Sequence, residues 1–589
     1  MSNRPRRDRR TPLRLGSHSR RLSVSLAAVV ILVVVLGGRL VQLQGLDARP
    51  YAAAAEASRL RTTDFQPQRG QILDRDGQQL AFSVDARAVF ADPSMLGNPF
   101  STAQLIAPVL HVPAGDLQQA ILTAVQKRPD TRFVYLARRV DPKLAEQVMK
   151  LNVKGIGVIP EPDRMHPGGT VGANIVGFTD GGGNGRAGIE EAYDGVLAGR
   201  PGELTVEVGT DGEVIPSGVH KEIKPIAGST VRLTISQDLQ YVAQTALVQA
   251  VKSTGALDGQ VSVLDARTGR VLALASAPTY NADDPGANPE HVGNPNVSSV
   301  FEPGSVNKVI TFAGALEHHL ITPTTPFTVP GQLTVADRVI HDDWVHSPVS
   351  WTATGIIAKS SNVGTLMIAQ KLGARNWDHY AKAFGEGTTS GVQLPAESAG
   401  LLPAMKNWSG STFGNLPIGQ GVAVTSLQLA SMYQAIANDG VRMPPRIVRS
   451  VTAPDGTVTA GQSPRPIRVV SRRTATTLRR MLQMVTQEGG TAPRAAIPGY
   501  TVAGKTGTGQ KATAAGYSNS DYFSTFAGMA PADAPRYVIS VMVDSPQTDY
   551  LGGDVAAPLF NQVMSYALKS GGVAPTGARA ASLPLFPNG

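Results

Sequence analysis

The chain has 589 residues, 42% hydrophobic and 17% charged, and no cysteine. That length exceeds one ordinary domain and that composition can bury sizeable cores, which excludes a disordered chain, while the missing cysteine excludes disulfides and thiol-based metal or redox chemistry. The net charge of +9 is concentrated in residues 1–21, where eight arginines face one acid, so the body lacks the clustered positive charge that a nucleic-acid groove needs.

Residues 22–38 form an apolar run without a charge, followed by Arg39 and Leu40-Val41-Gln42-Leu43. A spanning helix takes about 20 residues, and an arginine at its end can snorkel. The preceding arginines predict a cytoplasmic N-terminus, with residues 44 onward outside the membrane. A cleaved signal peptide competes with this reading. The small residues at 52–55 come only after Arg39, Asp47 and Arg49, so an uncleaved anchor is expected.

Residues 44–66 read as a helical stalk. Arg69-Gly70-Gln71-Ile72-Leu73-Asp74-Arg75-Asp76-Gly77 reads as a strand and a hairpin turn. Helices and short strands alternate over 101–154. The glycine-dense stretch 168–202 reads as loop, because no strand leads into it as a phosphate cradle requires. The spacing predicts a strand at 230–235, a helix at 237–251 and a hairpin pairing 261–265 with 271–275. The main domain boundary is placed near Ala227-Gly228. Helical patterns dominate 305–440. Strands are expected at 500–503, 523–529 and 537–543, with a final helix at 556–569 and a loose end after it. Strands at both ends with helices between them argue for a mixed α/β domain around one antiparallel sheet.

Three short segments carry the chemistry: Ser305-Val306-Asn307-Lys308, then Ser360-Ser361-Asn362, then Lys505-Thr506-Gly507-Thr508. Ser-x-x-Lys alone says little, since about one match arises by chance in such a chain. Here Pro303-Gly304 break the chain, and Val306, Val309, Ile310, Ala313 and Leu316 recur at helical spacing. Ser305 is therefore expected in the first helical turn, with Lys308 on the same face. The free amide at a helix start can donate to a developing oxyanion. Serine needs a base to act as a nucleophile, and lysine can be that base once burial lowers its pKa. Ser360-Ser361-Asn362 falls between helical stretches at 351–359 and 363–372. Such residues are often only caps; in the functional reading Ser360 relays a proton and Asn362 holds lysine and substrate.

Residues 499–506 also satisfy the Walker A pattern Gly-x-x-x-x-Gly-Lys-Thr. A P-loop has a strand before its first glycine and a helix after its lysine, and neither is indicated. As a strand edge the segment suits a peptide substrate. Gly507 admits a backbone, Lys505 and the threonine hydroxyls attract a carboxylate, and the Thr508 amide completes an oxyanion hole. His341-Asp342-Asp343-Trp344-Val345-His346 has metal-ligand residue types but reads better as a cleft-lining loop. Glu317-His318-His319 reads as a charged helix end. No metal or cofactor is expected.

Together these segments resemble the active-site corners of class B penicillin-binding proteins, peptidoglycan D,D-transpeptidases. Residues 69–77 resemble the first pedestal motif, and Arg164-Met165-His166-Pro167, Gly177, Asp180 and Gly188-Ile189-Glu190 resemble the next, with His166 in place of a usual tyrosine. Ile418-Gly419-Gln420-Gly421 and Glu488-Gly489-Gly490-Thr491-Ala492 also fit. Phe301 to Thr311 is similar to the FtsI division type of high-GC Gram-positive bacteria.

The resemblance implies a mixed α/β fold: an antiparallel sheet flanked by helices plus a helical subdomain, preceded by an elongated α+β pedestal and one transmembrane helix. The implied divisions are a tail 1–21, an anchor 22–43, a pedestal 44–228, a transpeptidase domain 229–570 and a loose end 571–589. It implies Ser305 as nucleophile, Lys308 as base, Ser360 and Asn362 as relay and orienter, and Lys505, Thr506, Gly507 and Thr508 toward substrate. Stem peptides ending in D-Ala-D-Ala are the implied substrate, β-lactams the inhibitors, and an FtsW-type glycan polymerase and divisome proteins the partners at the septum. An elongation-type transpeptidase shares every such residue. A β-lactamase or a non-catalytic divisome scaffold is a more distant reading.

Overall fold

The computed structural model describes residues 17–46, 59–209, 215, 217–513 and 516–587. The expected tail up to residue 16 and the expected stalk over 47–58 lie outside them. The chain divides into two compact units, Met1–Phe65 with Pro201–Pro225, and Gln66–Arg200 with Ile226–Gly589.

In the first unit the helix His18–Val41 is long and apolar enough to cross a membrane, and none of its residues is buried by protein. Leu60–Phe65, Gly202–Glu207 and His220–Ile223 form a three-stranded antiparallel sheet.

The second unit holds two bodies of core. The smaller packs helices Pro99–Leu110, Ala114–Lys127 and Pro142–Lys150 with strands Val134–Val140, Arg87–Ala91 and Ile156–Pro160. Val89, Ile106, Leu117, Ile121 and Val148 are among its buried residues. Beside it the glycine-dense stretch is not all loop: it contains short helices at Ala173–Val176, Gly188–Ala192 and Asp194–Leu197. The last two bring Glu190 and Asp194 to Arg69, which donates to them at 2.5 and 2.7 Å. Arg164 donates to the other Glu190 oxygen at 2.7 Å. Glu190 is fully buried between two arginines, so the charges compensate one another where burial alone would be costly. The two motifs that resembled pedestal signatures are thus the two halves of one ion network.

The larger core surrounds a five-stranded antiparallel sheet in the order Val271–Ala277, Asp258–Asp265, Tyr537–Asp544, Gly516–Ala530 and Ala503–Thr513. Helices Gln237–Thr254 and Ala556–Ser570 pack on it and on each other. Ser426–Ala437 covers the other face, where Ser426 meets the paired Ser262 and Ser540 through hydroxyl hydrogen bonds of 3.0 Å. The expected strand at 500–503 instead starts at Ala503, because the chain turns just before it, with Gly499 left-handed at φ 83°. Strand Thr230–Leu233 pairs in parallel with Ile72–Leu73 and antiparallel with Val448–Thr452. One six-stranded sheet therefore joins segments on both sides of residue 228.

Within the segment expected to be loose, residues 581–585 are anchored. The chain has little regular structure after Ser570, but the carbonyls of Pro584 and Leu585 accept from Thr352 Oγ1 and N at 2.6 and 3.0 Å, and Ala581 is bonded to Gln483 and Gln487. Glycine, alanine and proline composition signals a lack of helix and strand, not a lack of side-chain anchors for the backbone.

Candidate active site

The helix Lys308–Glu317 is buried along its length from Lys308 to Leu316, as an all-round apolar helix must be. It packs against Asn362–Leu372, Ala374–Phe384 and Arg472–Gln483. Ser305 precedes it in a separate tight turn, Gly304–Asn307, of 3-10 form rather than in the first α-turn. The segment 419–421 packs tightly against this turn. The Gly304 amide donates to Gly419 at 3.1 Å, and Gly419, left-handed at φ 83°, presses so close that a Cβ there would sit 2.0 Å from the Gly304 carbonyl. Glu302 reaches the same segment through the Gly421 amide at 3.0 Å. Ser305 itself is half-buried.

Lys308 is fully buried and donates to Asn362 Oδ1 at 2.7 Å, to Ser360 Oγ at 3.3 Å and to the Ser360 carbonyl. Burial lowers its pKa to about 8, opposed by the negative charges of Asp343 and Asp342. The first and second corners are thus directly bonded. Ser360 adopts a left-handed conformation, φ 63°, which is uncommon for serine. Its neighbour Ser361 is the helix cap, accepting from the Gly364 amide at 2.9 Å. The two serines divide the roles that their sequence left open.

The second corner rests on a residue not singled out as functional in the sequence. Asp342 is buried, and its carboxylate accepts from Ser361 Oγ at 2.8 Å, from the Asn362 amide at 2.5 Å and from the Val363 amide at 3.0 Å. It therefore meets the start of helix Asn362–Leu372, where free amides favour a carboxylate. His346 Nε2 lies 3.0 Å from the carboxylate oxygen that also accepts from Ser361 Oγ. Asp343 accepts from Asn362 Nδ2 at 3.2 Å. Both acids sit in the segment read as a cleft-lining loop; an acid pair in a loop carries no periodic signal that would mark it.

Lys505 to Thr508 lie on Ala503–Thr513, the edge strand of the five-stranded sheet, which runs along the Gly304–Asn307 turn. Lys505 is fully buried, and burial first, then the charge of Lys308, pushes its pKa well below the usual lysine range, with Asp343 opposing. Its Nζ donates to Thr506 O at 3.0 Å, and Thr506 Oγ1 lies 2.8 Å from Thr491 Oγ1. Thr508 remains half-buried. The glycine in this segment has another reason than expected: a Cβ on Gly507 would lie 2.3 Å from Thr525 Oγ1 and 2.7 Å from the Pro303 carbonyl. That space is filled by protein, so glycine permits the strand to approach the Ser305 turn. No helix follows Lys505, which removes the phosphate-loop reading.

The arrangement offers a hydroxyl on a tight turn, a buried lysine of lowered pKa beside a second hydroxyl, and a strand edge with a second buried lysine. Acyl transfer needs these elements: a nucleophile, a base, a proton relay and fixed donors.

Residues 259–565 match the penicillin binding protein transpeptidase domain family, and residues 64–233 match the penicillin-binding protein dimerisation domain family. The chain is 42% identical to penicillin-binding protein PbpB of Mycolicibacterium smegmatis, over 92% of this chain and 89% of that one. It is 31% identical to the peptidoglycan D,D-transpeptidase FtsI of Escherichia coli K12, over 94% and 92% of the two chains. The crystal structure of penicillin binding protein 3 from Mycobacterium tuberculosis superposes with a TM-score of 0.70 at 37% identity, covering 89% of this chain and all of that one. With both domain families matched in order and relatives similar along nearly their full length, this chain belongs to the class B penicillin-binding proteins and is a peptidoglycan D,D-transpeptidase.

Proposed function

We propose that Ser305 is the nucleophile of this reaction. Its Oγ attacks the carbonyl of the penultimate D-Ala of a stem peptide as its proton passes to Lys308. The amides of Ser305 and Thr508 stabilise the oxyanion. The peptide C–N bond breaks, Ser360 delivers a proton to the departing D-Ala, and an acyl ester on Ser305 remains. An amine from a neighbouring stem then attacks the ester, closing the crosslink and restoring the serine. Asn362 orients Lys308 and the substrate amide, while Lys505, Thr506 and Thr508 receive the terminal carboxylate along the strand that Gly507 allows to sit close. The observation that carries this reading is the buried Lys308 bonded to both Ser360 and Asn362.

A β-lactam presents the same carbonyl and would leave a stable acyl group on Ser305. A related crystal structure, that of Mycobacterium tuberculosis penicillin binding protein 3, was obtained with ampicillin, which supports this inhibitor class. After incubation of the full chain with ampicillin, intact mass spectrometry should show one adduct, and peptide mapping should place it on the peptide holding Ser305. An adduct on another serine would overturn the assignment.

The helix His18–Val41 supports a single-pass anchor near 22–43, with the preceding basic residues in the cytoplasm and the pedestal (44–228) and transpeptidase domain (229–570) outside. The FtsI name of a relative favours septal wall synthesis with an FtsW-type polymerase over an elongation role. A fluorescent fusion is expected to gather at the division site; uniform lateral signal would favour elongation.

A further inference from the structure

None of the residues of a second cavity in the Gln66–Arg200, Ile226–Gly589 unit belongs to the Ser305 site. This cavity, of about 80 Å³, is lined by Arg75, Arg270, Arg449 and Arg536 together with Asp265 and Thr234. Arg75 follows the strand Ile72–Leu73, Arg449 lies on Val448–Thr452, and Arg270 and Arg536 precede Val271–Ala277 and Tyr537–Asp544. The four guanidinium groups thus come from both the six-stranded and the five-stranded sheet, whose backbones fix their spacing.

Their charges are poorly compensated. Asp265 is the one acid of the lining. One of its oxygens is occupied by the hairpin turn, accepting from the Arg267 and Thr268 amides and from Thr268 Oγ1, and the other stands 3.7 Å from Arg536. Asp76, 3.6 Å from Arg75, is mostly exposed. Among the described residues Arg270 and Arg449 have no ion pair, and Arg449 is spent on the Arg75 carbonyl at 2.9 Å. Arg446, adjoining this cluster, has a buried Nε with no hydrogen-bond partner. Burial, and then the positive charge of Arg270, lower its pKa, with Asp265 opposing. A concave site with an excess of one sign of charge, here four arginines to one aspartate, focuses the field and concentrates counter-ions.

We propose that this cavity binds a phosphate group. A carboxylate would offset one charge. A phosphate of nearly two negative charges offsets more, and its several oxygens can take paired N–H donors from more than one planar guanidinium. The cavity has room for a single such group. Bound there, the anion ties the turn of the first pedestal motif and the strand Val448–Thr452 to the hairpin of the catalytic sheet.

The test is calorimetric titration of the full chain, in phosphatidylcholine nanodiscs, with inorganic phosphate at ionic strength held constant by potassium chloride. Saturable one-site binding is expected, weakened at least tenfold in the double variant Arg270→Gln, Arg536→Gln. Unchanged labelling by a fluorescent penicillin shows that the variant is folded. Should the double variant misfold, Arg270→Gln alone, at an exposed side chain, should weaken binding severalfold. Equal affinity in variant and parent, absence of saturable binding, or equally tight acetate would overturn the proposal. Repeating the titration in nanodiscs containing phosphatidic acid, whose headgroup is likewise a phosphate monoester, separates two sources of the same chemistry. Undiminished binding identifies a soluble phosphate, and competition by the lipid identifies a headgroup.

Discussion

Replacing Lys308 with methionine is expected to slow acylation by a fluorescent penicillin about a thousandfold, the scale of a lost general base. Methionine keeps the stem buried among the same neighbours, so folding should survive while the proton acceptor is gone. Arginine should not rescue the rate, because a guanidinium stays charged and is wider than the ammonium it replaces. The pH profile gives an independent reading. With Lys308 lowered to about 8 by burial, about a tenth of the molecules hold it neutral at pH 7. The acylation rate of the parent should therefore climb close to tenfold from pH 6 to 7 and level off above about pH 9. Asp342→Asn weakens the charge-assisted bonds that hold Asn362 and Val363, and should cost about tenfold through misplacement of the lysine's partner. Stopped-flow labelling of the parent and the three variants decides the matter. A methionine variant within tenfold of the parent, or a flat profile, would remove Lys308 as the base.

The fold and the site were legible to different depths. Hairpin 258–277 and the strand Tyr537–Asp544 follow from apolar runs buried on both faces, and helix 237–254 from the helical spacing of its one buried face. The three corners were visible as words, and their neighbours Gly419 and Thr491 as parts of further words; what words do not contain is contact. The ion network joins Arg69 to Glu190, 121 positions on, and Arg164 to the same carboxylate, 26 positions on. Asp342 has its effect through three bonds to residues about twenty positions on. Gly507 illustrates the converse: the residue was found, but the neighbour that demands it, Pro303, lies on another element. Side-chain chemistry marks candidates, and long-range packing assigns them their reasons.

Glu386 lies between Gly385 and Gly387, and nothing in its sequence context marks it as buried. The carboxyl is 1% exposed, and neither of its oxygens has a well-aligned hydrogen-bond partner. Burial pushes its pKa up to about 8, and the side chain of Asn307, two residues from Ser305, is the group that opposes the shift. That side chain is itself buried without a well-formed bond, so the pair is a contact that gives the charged form little relief. Below the unfolded value near 4.5, both states hold the proton and the group adds nothing. Between there and about 8 the unfolded chain releases a proton that the folded chain keeps, so stability falls as pH rises. Above about 8 both are ionised and the loss is complete. Glu386→Gln cannot ionise and retains the shape. It should match the parent near pH 4.5 and exceed it at pH 8.5 by on the order of 3 kcal/mol, less than the full shift because buried charges draw in water. In melting experiments on the full chain the variant's advantage should therefore grow with pH to several degrees. An advantage that is constant from pH 5 to 8.5 would mean that the carboxyl is solvated and the turn around it open.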